Sequence, residues 1–586
     1  MRRIATRLSF VSVFVLGLTV GLFGQERTGD IEGIVNDQNS AAIAGAEVTV
    51  TGIDIGFSRS LKAGSDGSFR LLQVPPGRYR LRAAGSGFQA VTSEVLVSLG
   101  QTATVRFSLP VESATATVEV TSADVATIDS GSNRIQTSIS ERQIELVPKA
   151  SVNFSSVLRV SPAVREEPLG AGFNIDGSSG AENTFIVDGL EVTNFRTGQL
   201  RNVQNVSNDT VSEVQVKTSG FEAEYSGATG GVVNVVTKGG SNDWHGNFGL
   251  QFNIDRFDSD TRPILRGLTN DVQFIRPGRD NNGTFLNPPD DEFTNVFATA
   301  NLGGPIIKDR LWFFGSIAPQ YFDTSRTTVF PNGTRETNRV EQRNDYLFGR
   351  LDAQVFDKLR VSGTYSYSPQ TINGGILGFG ATSSIGDQSQ RGGRVNASNF
   401  TYQATYTPTP NWVINIRGGR GFLNELDASY GVPNALRVRC LGSGTVLGSL
   451  PDFGCGASNT VGFDNIGNNS VTNRDVSIRN TFDADAQVLI NNFGGRHIFK
   501  FGYQLNRLEN DVDSGFFNTG RIDFFFGQTA FGIGSPLGNA QLTRFGTVGE
   551  TSSKNQALYV QDSWSPFKNL TLNLGLRIEK EDVPSF

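Results

Sequence analysis

The chain has 586 residues, which suggests several domains, and its formal net charge of −6 argues against nucleic acid as a partner. Its 68 glycines and 43 phenylalanines, with only 18% charged residues, favour short strands with many turns over helices. The two histidines and two cysteines form no cluster with metal-ligand spacing, and no nucleophile–base–orienter set stands out. We therefore expect neither an enzyme nor a cofactor.

Residues 1–25 have the pattern of a secretory signal peptide. Arg2, Arg3 and Arg7 precede an uncharged run over residues 8–23. The run is shorter than the roughly 18–20 residues that a spanning helix needs, so we predict export with cleavage near Gly24 or Gln25 rather than a membrane anchor. No later run is long enough for such a helix, so insertion into a membrane would require a barrel.

Residues 28–111 are predicted to form a small β-sandwich. Short strand signals recur at regular spacing and are separated by turn markers such as Asp66-Gly67 and Pro75-Pro76-Gly77. The segments GAEVTV (45–50), SDGSFRL (65–71) and PPGRYRLRAAGSGF (75–88) resemble the carboxypeptidase regulatory-like domain. That resemblance implies a prealbumin-like sandwich grouped with carbohydrate-binding-like folds. It leaves sugar binding and a plain spacer role as alternatives.

Residues 112–133 have the Ser, Thr, Ala and Val composition of an extended linker. Within it, residues 117–121 (TVEVT) form a short β-prone segment. Such a segment could add to an exposed sheet edge of a partner protein. It could equally be the last strand of the sandwich, and the sequence leaves both readings open.

Residues 134–240 are predicted to form a compact α+β domain. Ser140 and Gln143 make a capping box that starts a helix, which Pro148 ends, and Asn153 is a cap for a second helix. Residues 184–189 predict a strand that enters a tight turn. Residues 232–236 (VVNVV) predict a buried strand between glycine-rich turns.

Three motifs in order give this region a specific resemblance. They are LVPKASVNFSSVLRVSPAV (146–164), NIDGSSGAENTFIVDGLEVTN (174–194) and VSEVQVKTSGFEAEYSGATGGVVNVVTKGG (211–240). They are similar to the plug domain of TonB-dependent outer-membrane receptors, and the domain in front places the chain nearest the Oar-like group. The plug-motif positions are Asp188, Gly189, Gly230, Gly231, Asn234, Thr237, Lys238 and Gly239. The resemblance also implies a TonB box at Thr117, Val118, Glu119, Val120 and Thr121.

Residues 241–586 alternate between apolar and polar side chains with a period of two. Phe248, Leu250 and Phe252 face one way, for example, while the residues between them face the other. Together with the predicted export, this repetition favours an antiparallel transmembrane β-barrel over a soluble sandwich. We count about a dozen strand signals against about 22 in plugged transporters, which predicts an incomplete barrel and a chain that is the N-terminal part of a longer receptor.

Long polar stretches at residues 255–291, 370–396 and 431–473 are predicted loops on the outer side of the barrel. Cys440 and Cys455 lie in the last of them. In an exported protein they would form a disulfide, with two free thiols as the alternative.

The predicted fold is thus mainly β: a sandwich, a small plug and a partial barrel in a Gram-negative type outer membrane. The first functional hypothesis, implied by the resemblance, is a receptor that imports a scarce nutrient. A TonB-type energy-coupling protein in the periplasm would displace the plug, and the substrate would be a small molecule, an oligosaccharide or a peptide. The alternative is a surface binding or adhesion protein, anchored in outer-membrane lipid, whose sandwich binds carbohydrate.

Overall fold

The computed structural model describes residues 28–111, 119–120, 135–147, 152–167, 172–225, 230–259, 264–266, 283–286, 289–330, 333–378, 388–426, 436–442, 472–491, 493–515, 520–526, 539–567 and 570–584. The predicted signal peptide and Cys455 lie outside these residues, so the structure tests neither the signal peptide nor the disulfide. In the part of the chain that is described, no helix has the length and apolarity needed to cross a membrane.

The N-terminal residues form a sandwich of two sheets. One sheet has the order β4-β1-β7, with β1 parallel to β7, and the other has the order β3-β2-β5-β6-β8. The strands are β1 (Gly29–Asp37), β2 (Glu47–Gly52), β3 (Ser58–Lys62), β4 (Ser68–Val74), β5 (Gly77–Ala84), β6 (Val91–Val97), β7 (Thr102–Leu109) and β8 (Glu119–Val120). Alternate side chains such as Val48, Val50, Leu81 and Phe107 fill the space between the sheets, as period-2 strands require.

The middle of the chain forms a five-stranded sheet with the order β13-β12-β15-β14-β9. The elements here are β9 (Ile135–Ser140), α1 (Glu141–Leu146), a 3-10 helix (Phe154–Val160), β10 (Val164–Glu166), β11 (Phe173–Ile175), β12 (Thr184–Val187), β13 (Leu190–Glu191), 3-10 turns at Asn202–Gln204 and Asn208–Thr210, β14 (Val211–Ser219) and β15 (Val232–Thr237). The predicted capping box of α1 is confirmed, because Ser140 and Gln143 close it. The predicted buried strand is confirmed as β15, which pairs with a neighbour on each side and is buried throughout.

The remaining residues build one antiparallel sheet of eleven strands, which we call the strand wall. Its strands are β16 (His245–Ile254), β19 (Glu292–Ile307), β20 (Leu311–Val329), β21 (Arg335–Phe356), β22 (Leu359–Gly374), β23 (Gly392–Thr409), β24 (Trp412–Leu426), β26 (Thr472–Ile490), β27 (Arg496–Gly515), β30 (Gly546–Phe567) and β31 (Leu570–Asp582). The first and the last of them each have a single neighbour among the described residues, so the sheet is not closed.

The alternation predicted for these strands is confirmed, with the polar side buried. Leu351 and Phe400 are 53% and 49% exposed, whereas their neighbours Asp352 and Thr401 are 0% and 4% exposed. The polar side is buried because the middle domain packs against it, as the contacts below show. We call this side the inner face of the strand wall.

The predicted loop at 255–291 fits between the wall strands β16 and β19, whereas that at 370–396 is wrong at both boundaries and that at 431–473 overlaps the start of β26. Residues 370–396 include the paired ends of β22 and β23, because polar side chains do not prevent the backbone ladder from continuing. The other two stretches contain further short strands. These are β17 (Ile264–Arg266), β18 (Gly283–Leu286) and β25 (Arg437–Gly442). The predicted loops also contain 3-10 turns at Asp255–Phe257 and Gln388–Gln390. Outside the predicted loops lie β28 (Arg521–Phe526) and β29 (Asn539–Thr543).

The connections between the wall strands differ at the two ends. Residues 308–310, 357–358, 410–411 and 491–495 make short connections at one end, which we call the short-connection end. The long connections at 255–291, 375–391, 427–471 and 516–545 lie at the opposite end, together with one shorter connection at 330–334. Short turns on one side and long loops on the other are the asymmetry of outer-membrane barrels.

Candidate functional site

The turn between β12 and β13 fixes one group of the motif residues. Asp188 and Gly189 have φ angles of 47° and 77°, the left-handed pair that a tight two-residue hairpin needs. The buried Asp188 carboxylate then accepts the Thr237 backbone N–H at 3.1 Å and the Thr237 hydroxyl at 2.6 Å. The turn and the end of β15 are therefore tied together, which explains why an acidic residue stands at this position.

This pair is anchored to the inner face of the strand wall. Arg350 on β21 donates through Nη1 to the Thr237 carbonyl at 2.8 Å, and the same atom lies 4.0 Å from Asp188 Oδ1. Asp352, fully buried on the same strand, accepts Arg350 Nε at 2.7 Å and Arg360 Nη2 at 3.0 Å. The result is a buried network of two carboxylates and two guanidinium groups that joins the domain to the wall.

A second anchor lies on the segment before β15. Glu224 is 1% exposed, and its Oε2 accepts a hydrogen bond from Lys500 Nζ on β27 at 2.7 Å. Gln504, on the same strand, donates to the Glu224 carbonyl at 3.0 Å. Arg577 on β31 donates to that carbonyl as well, at 3.2 Å. This segment is therefore held by charge-assisted hydrogen bonds from two wall strands.

A third group of ion pairs lies towards the long connections. Arg196 pairs with Asp475 at 2.5 Å. Two further pairs cross between the domain and the wall, Arg201 with Glu425 and Glu191 with Arg479. Apolar contact here includes Val203 against a small cluster on β23 and β24, and Leu190 beside Gly419 on β24. The interface is thus largely polar, and water could replace its contacts on release.

Two of the motif glycines are needed because the chain approaches other atoms closely. A Cβ on Gly231 would lie 2.5 Å from Cγ2 of the buried Ile175, and one on Gly230 would lie 2.5 Å from Ser178 Oγ. The Gly231 N–H donates to Asn183 Oδ1 at 2.8 Å, which seats β15 against the preceding loop. Glycine at these positions lets β15 enter the centre of the sheet.

We expect Gly231→Ala to destabilise the middle domain by about 1–3 kcal/mol through overpacking against Ile175. Urea unfolding of the purified chain in detergent, followed by hydrogen exchange in β15, measures this change. Gly349→Ala is the matched control, since a Cβ there meets nothing within 4 Å. Equal protection of β15 in both variants would contradict the close-approach argument.

The remaining motif residues have structural partners within reach. Lys238 Nζ contacts Glu141 Oε1 at 2.6 Å. Asn234 is buried at the centre of β15, and an added Cβ on Gly239 would meet Asp352. The structure thus brings Asp188, Thr237 and Gly239 together at the wall. It places Gly230 and Gly231 at the far end of β15.

The TonB-box prediction meets the structure at two residues only, because residues 117, 118 and 121 lie outside the described part of the chain. Glu119 and Val120 form β8, which pairs in parallel with Thr92 and Ser93 at the edge of the sandwich. This is the arrangement of a last sandwich strand. It places the backbone of the predicted box on a sheet edge.

The sequence did not predict the partners on the wall, namely Arg350, Asp352, Arg360, Glu425, Asp475, Arg479 and Lys500. The one sequence pattern that pointed to these partners was a charged residue at a polar position of an alternating strand, such as Lys500 between Phe499 and Phe501. Charged side chains in a barrel interior need partners, but the pattern does not say which. Within the described residues, no group of three His, Cys, Asp or Glu side chains could hold a metal ion.

Comparison with known proteins agrees with this architecture. Residues 30–110 match the family Carboxypeptidase regulatory-like domain, and residues 317–585 match the family Outer membrane beta barrel domain. The chain is 26% identical to the TonB-dependent transporter Oar of Myxococcus xanthus over 646 aligned positions, which cover 97% of this chain and 59% of Oar. The chain therefore spans less than two thirds of the length of that curated relative.

Among solved structures, the outer membrane transporter YddB from Escherichia coli superimposes with a TM-score of 0.55. The match has 14% sequence identity and covers 76% of this chain and 56% of YddB. At this identity the likeness concerns the fold, and it supports the prediction of a mainly β chain with a large antiparallel sheet. The chain is therefore similar to the TonB-dependent transporter Oar, and it matches a carboxypeptidase regulatory-like domain near its N-terminus and an outer membrane beta barrel domain after it.

Proposed function

We propose that the chain belongs to a TonB-dependent outer-membrane transporter whose middle domain is the plug of the barrel. The observation that carries the proposal is the seating of this domain on the inner face of the strand wall through three groups of polar contacts. Its buried charges are paired across the interface, as in Asp188 with Arg350 and Glu224 with Lys500. Such an interface holds the plug at rest and can rehydrate when the plug moves.

The proposed function implies an orientation of the chain in the outer membrane. The short-connection end faces the periplasm and the long connections face outward, as in other outer-membrane barrels. Residues 1–25 act as the export signal. A periplasmic energy-coupling protein of the TonB type binds residues 117–121 by strand addition and pulls the plug, so that a scarce nutrient passes. The substrate class is a small molecule, an oligosaccharide or a peptide.

Deletion of residues 117–121 tests the energy-coupling step without a known substrate. We expect the full chain in detergent to bind the purified periplasmic domain of the energy-coupling protein, and the deletion to abolish that binding because the added strand is lost. Biolayer interferometry measures the affinity. Deletion of residues 124–128, of equal length and in the same linker, is the control and should leave binding unchanged. Unchanged binding after deletion of residues 117–121 would overturn the role of that segment.

A further inference from the structure

A bulge in β4 gives the sandwich a projecting point. Opposite β1, Gly29 pairs with Val74 and Ile31 pairs with Leu71, so Leu72 and Gln73 together face the single residue Asp30. Gln73 has a φ of 55°, a left-handed conformation that is strained for a residue with a side chain. The Gln73 N–H donates to Asp30 Oδ1 at 2.9 Å, which holds the bulge in shape.

The bulge inserts into the inner face of the strand wall. Leu72 is fully buried, and it packs with Val413 and Leu489 in a cluster separate from the sandwich core. Gln73 accepts Asn415 Nδ2 at 2.5 Å and donates from Nε2 to Gln487 Oε1 at 2.8 Å. A strained residue is thus satisfied by partners more than 340 positions away in sequence.

Two more contacts extend this docking around the short-connection end. The loop at Gly56 lies on the Trp312 ring, where a Cβ would approach to 2.1 Å, and the Gly56 N–H donates to the Gly240 carbonyl at 3.1 Å. Arg360 donates to the Gly56 carbonyl, and Arg496 contacts Glu32 at 3.2 Å. The sandwich therefore touches strands from β20 to β27.

The sandwich also rests on the plug. The Leu99 N–H donates to both carboxylate oxygens of Glu213 at 3.1 Å, and the Leu99 carbonyl accepts Gln215 Nε2 at 2.7 Å. Glu213 and Gln215 are buried on β14, at 4% and 0% exposure. A plug moving toward the short-connection end would meet the sandwich directly.

We propose that the sandwich is a second closure of the lumen, a lid that must lift from the short-connection end before the plug can move. This inference rests on the proposed function. It also explains the position of β8: a pull on residues 117–121 acts first on the lid edge at Thr92 and Ser93, where Glu119 and Val120 are paired. The polar contacts and the strained bulge favour a release that is reversible.

A cysteine pair tests the lid. In a Cys440→Ser, Cys455→Ser background, Leu72→Cys with Val413→Cys should form a disulfide on mild oxidation, and Leu72→Cys with Leu489→Cys serves as a second pair should the first misfold. Leu96→Cys with Val413→Cys is the matched control. Leu96 is 44% exposed and lies on β6 in the opposite sheet, so no disulfide should form.

The rate of disulfide formation in cells then measures lifting. We expect disulfide formation to be at least threefold slower in cells whose energy-coupling partner is active than in cells treated with a protonophore. After deletion of residues 117–121, the two rates should be equal. Failure of both pairs to crosslink in folded protein would overturn the docking. If the partner binds residues 117–121 but the protonophore does not change the rate of disulfide formation, the lid does not lift. The proposed function then stands without a lid. If the partner does not bind, the proposed function fails and the energy-driven lid fails with it.

Discussion

Replacing Asp352 by alanine is expected to destabilise the seated plug by roughly 3–5 kcal/mol, because two buried guanidinium groups lose their shared carboxylate. Arg350 and Arg360 both donate to Asp352, whose side chain is fully buried. Arg350 would keep the carbonyl and hydroxyl of Thr237 and the more distant Asp188 carboxylate. An uncompensated charge in this position disfavours the docked arrangement far more than the loss of one hydrogen bond would.

Hydrogen exchange of the plug strands and urea unfolding of the purified chain in detergent measure the change. The control is Asp323→Asn, which breaks the Asp323–Arg339 pair on the neighbouring strands β20 and β21. Arg339 in that pair is 56% exposed, so water replaces the lost contact and the effect should be far smaller than that of Asp352→Ala. If the two variants behaved alike, Asp352 would not be the centre of a buried network.

The second large effect concerns pH. Burial raises the pKa of Glu213 from 4.5 to about 7, because the Leu99 N–H and the nearby Ser138 hydroxyl do not replace the water that the carboxylate loses. Between pH 4.5 and 7 the unfolded chain releases this proton while the folded chain keeps it. The contact between plug and sandwich therefore weakens as the pH rises through this window and changes little above it.

A pKa difference of about 2.5, at about 1.36 kcal/mol per pH unit, corresponds to about 3 kcal/mol. We expect the protection of β14 and Leu99 against hydrogen exchange, corrected for the chemical rate at each pH, to fall by about this amount between pH 5 and pH 8. In Glu213→Gln the protection should be flat, since the amide oxygen can still accept the Leu99 N–H. Glu145→Gln, at an exposed position on α1, should keep the pH dependence of the parent. A parent chain with flat protection would contradict the burial argument.

Local signals in the sequence predicted several elements of the middle domain. The capping box at Ser140, the turn at Asp188-Gly189 and the buried run of β15 depend on residues within a few positions of one another. Local backbone preferences and hydrophobic patterning determine such features, so a single chain segment carries enough information. The alternation of the wall strands was predictable for the same reason.

The partners across the interfaces were decided only by the tertiary structure. Glu224 and Lys500 are 276 positions apart, and Gln73 and Asn415 are 342 apart. A charged residue at an inward position shows that a partner is needed, yet the register and spacing of the wall strands determine which residue it meets. Strand register depends on the whole ladder rather than on the neighbours of one residue.

The sequence by itself determined that this chain is mainly β, that its middle domain has a buried central strand and that its later strands have one polar side. The tertiary structure alone decided that the sandwich lies against the inner face of the wall. A strand with the run Leu71-Leu72-Gln73-Val74 departs from alternation, but only pairing with β1 turns that departure into a bulge. The contacts of Leu72 with Val413 and Leu489, together with the hydrogen bonds of Gln73, make that bulge a docking point on strands far away in sequence.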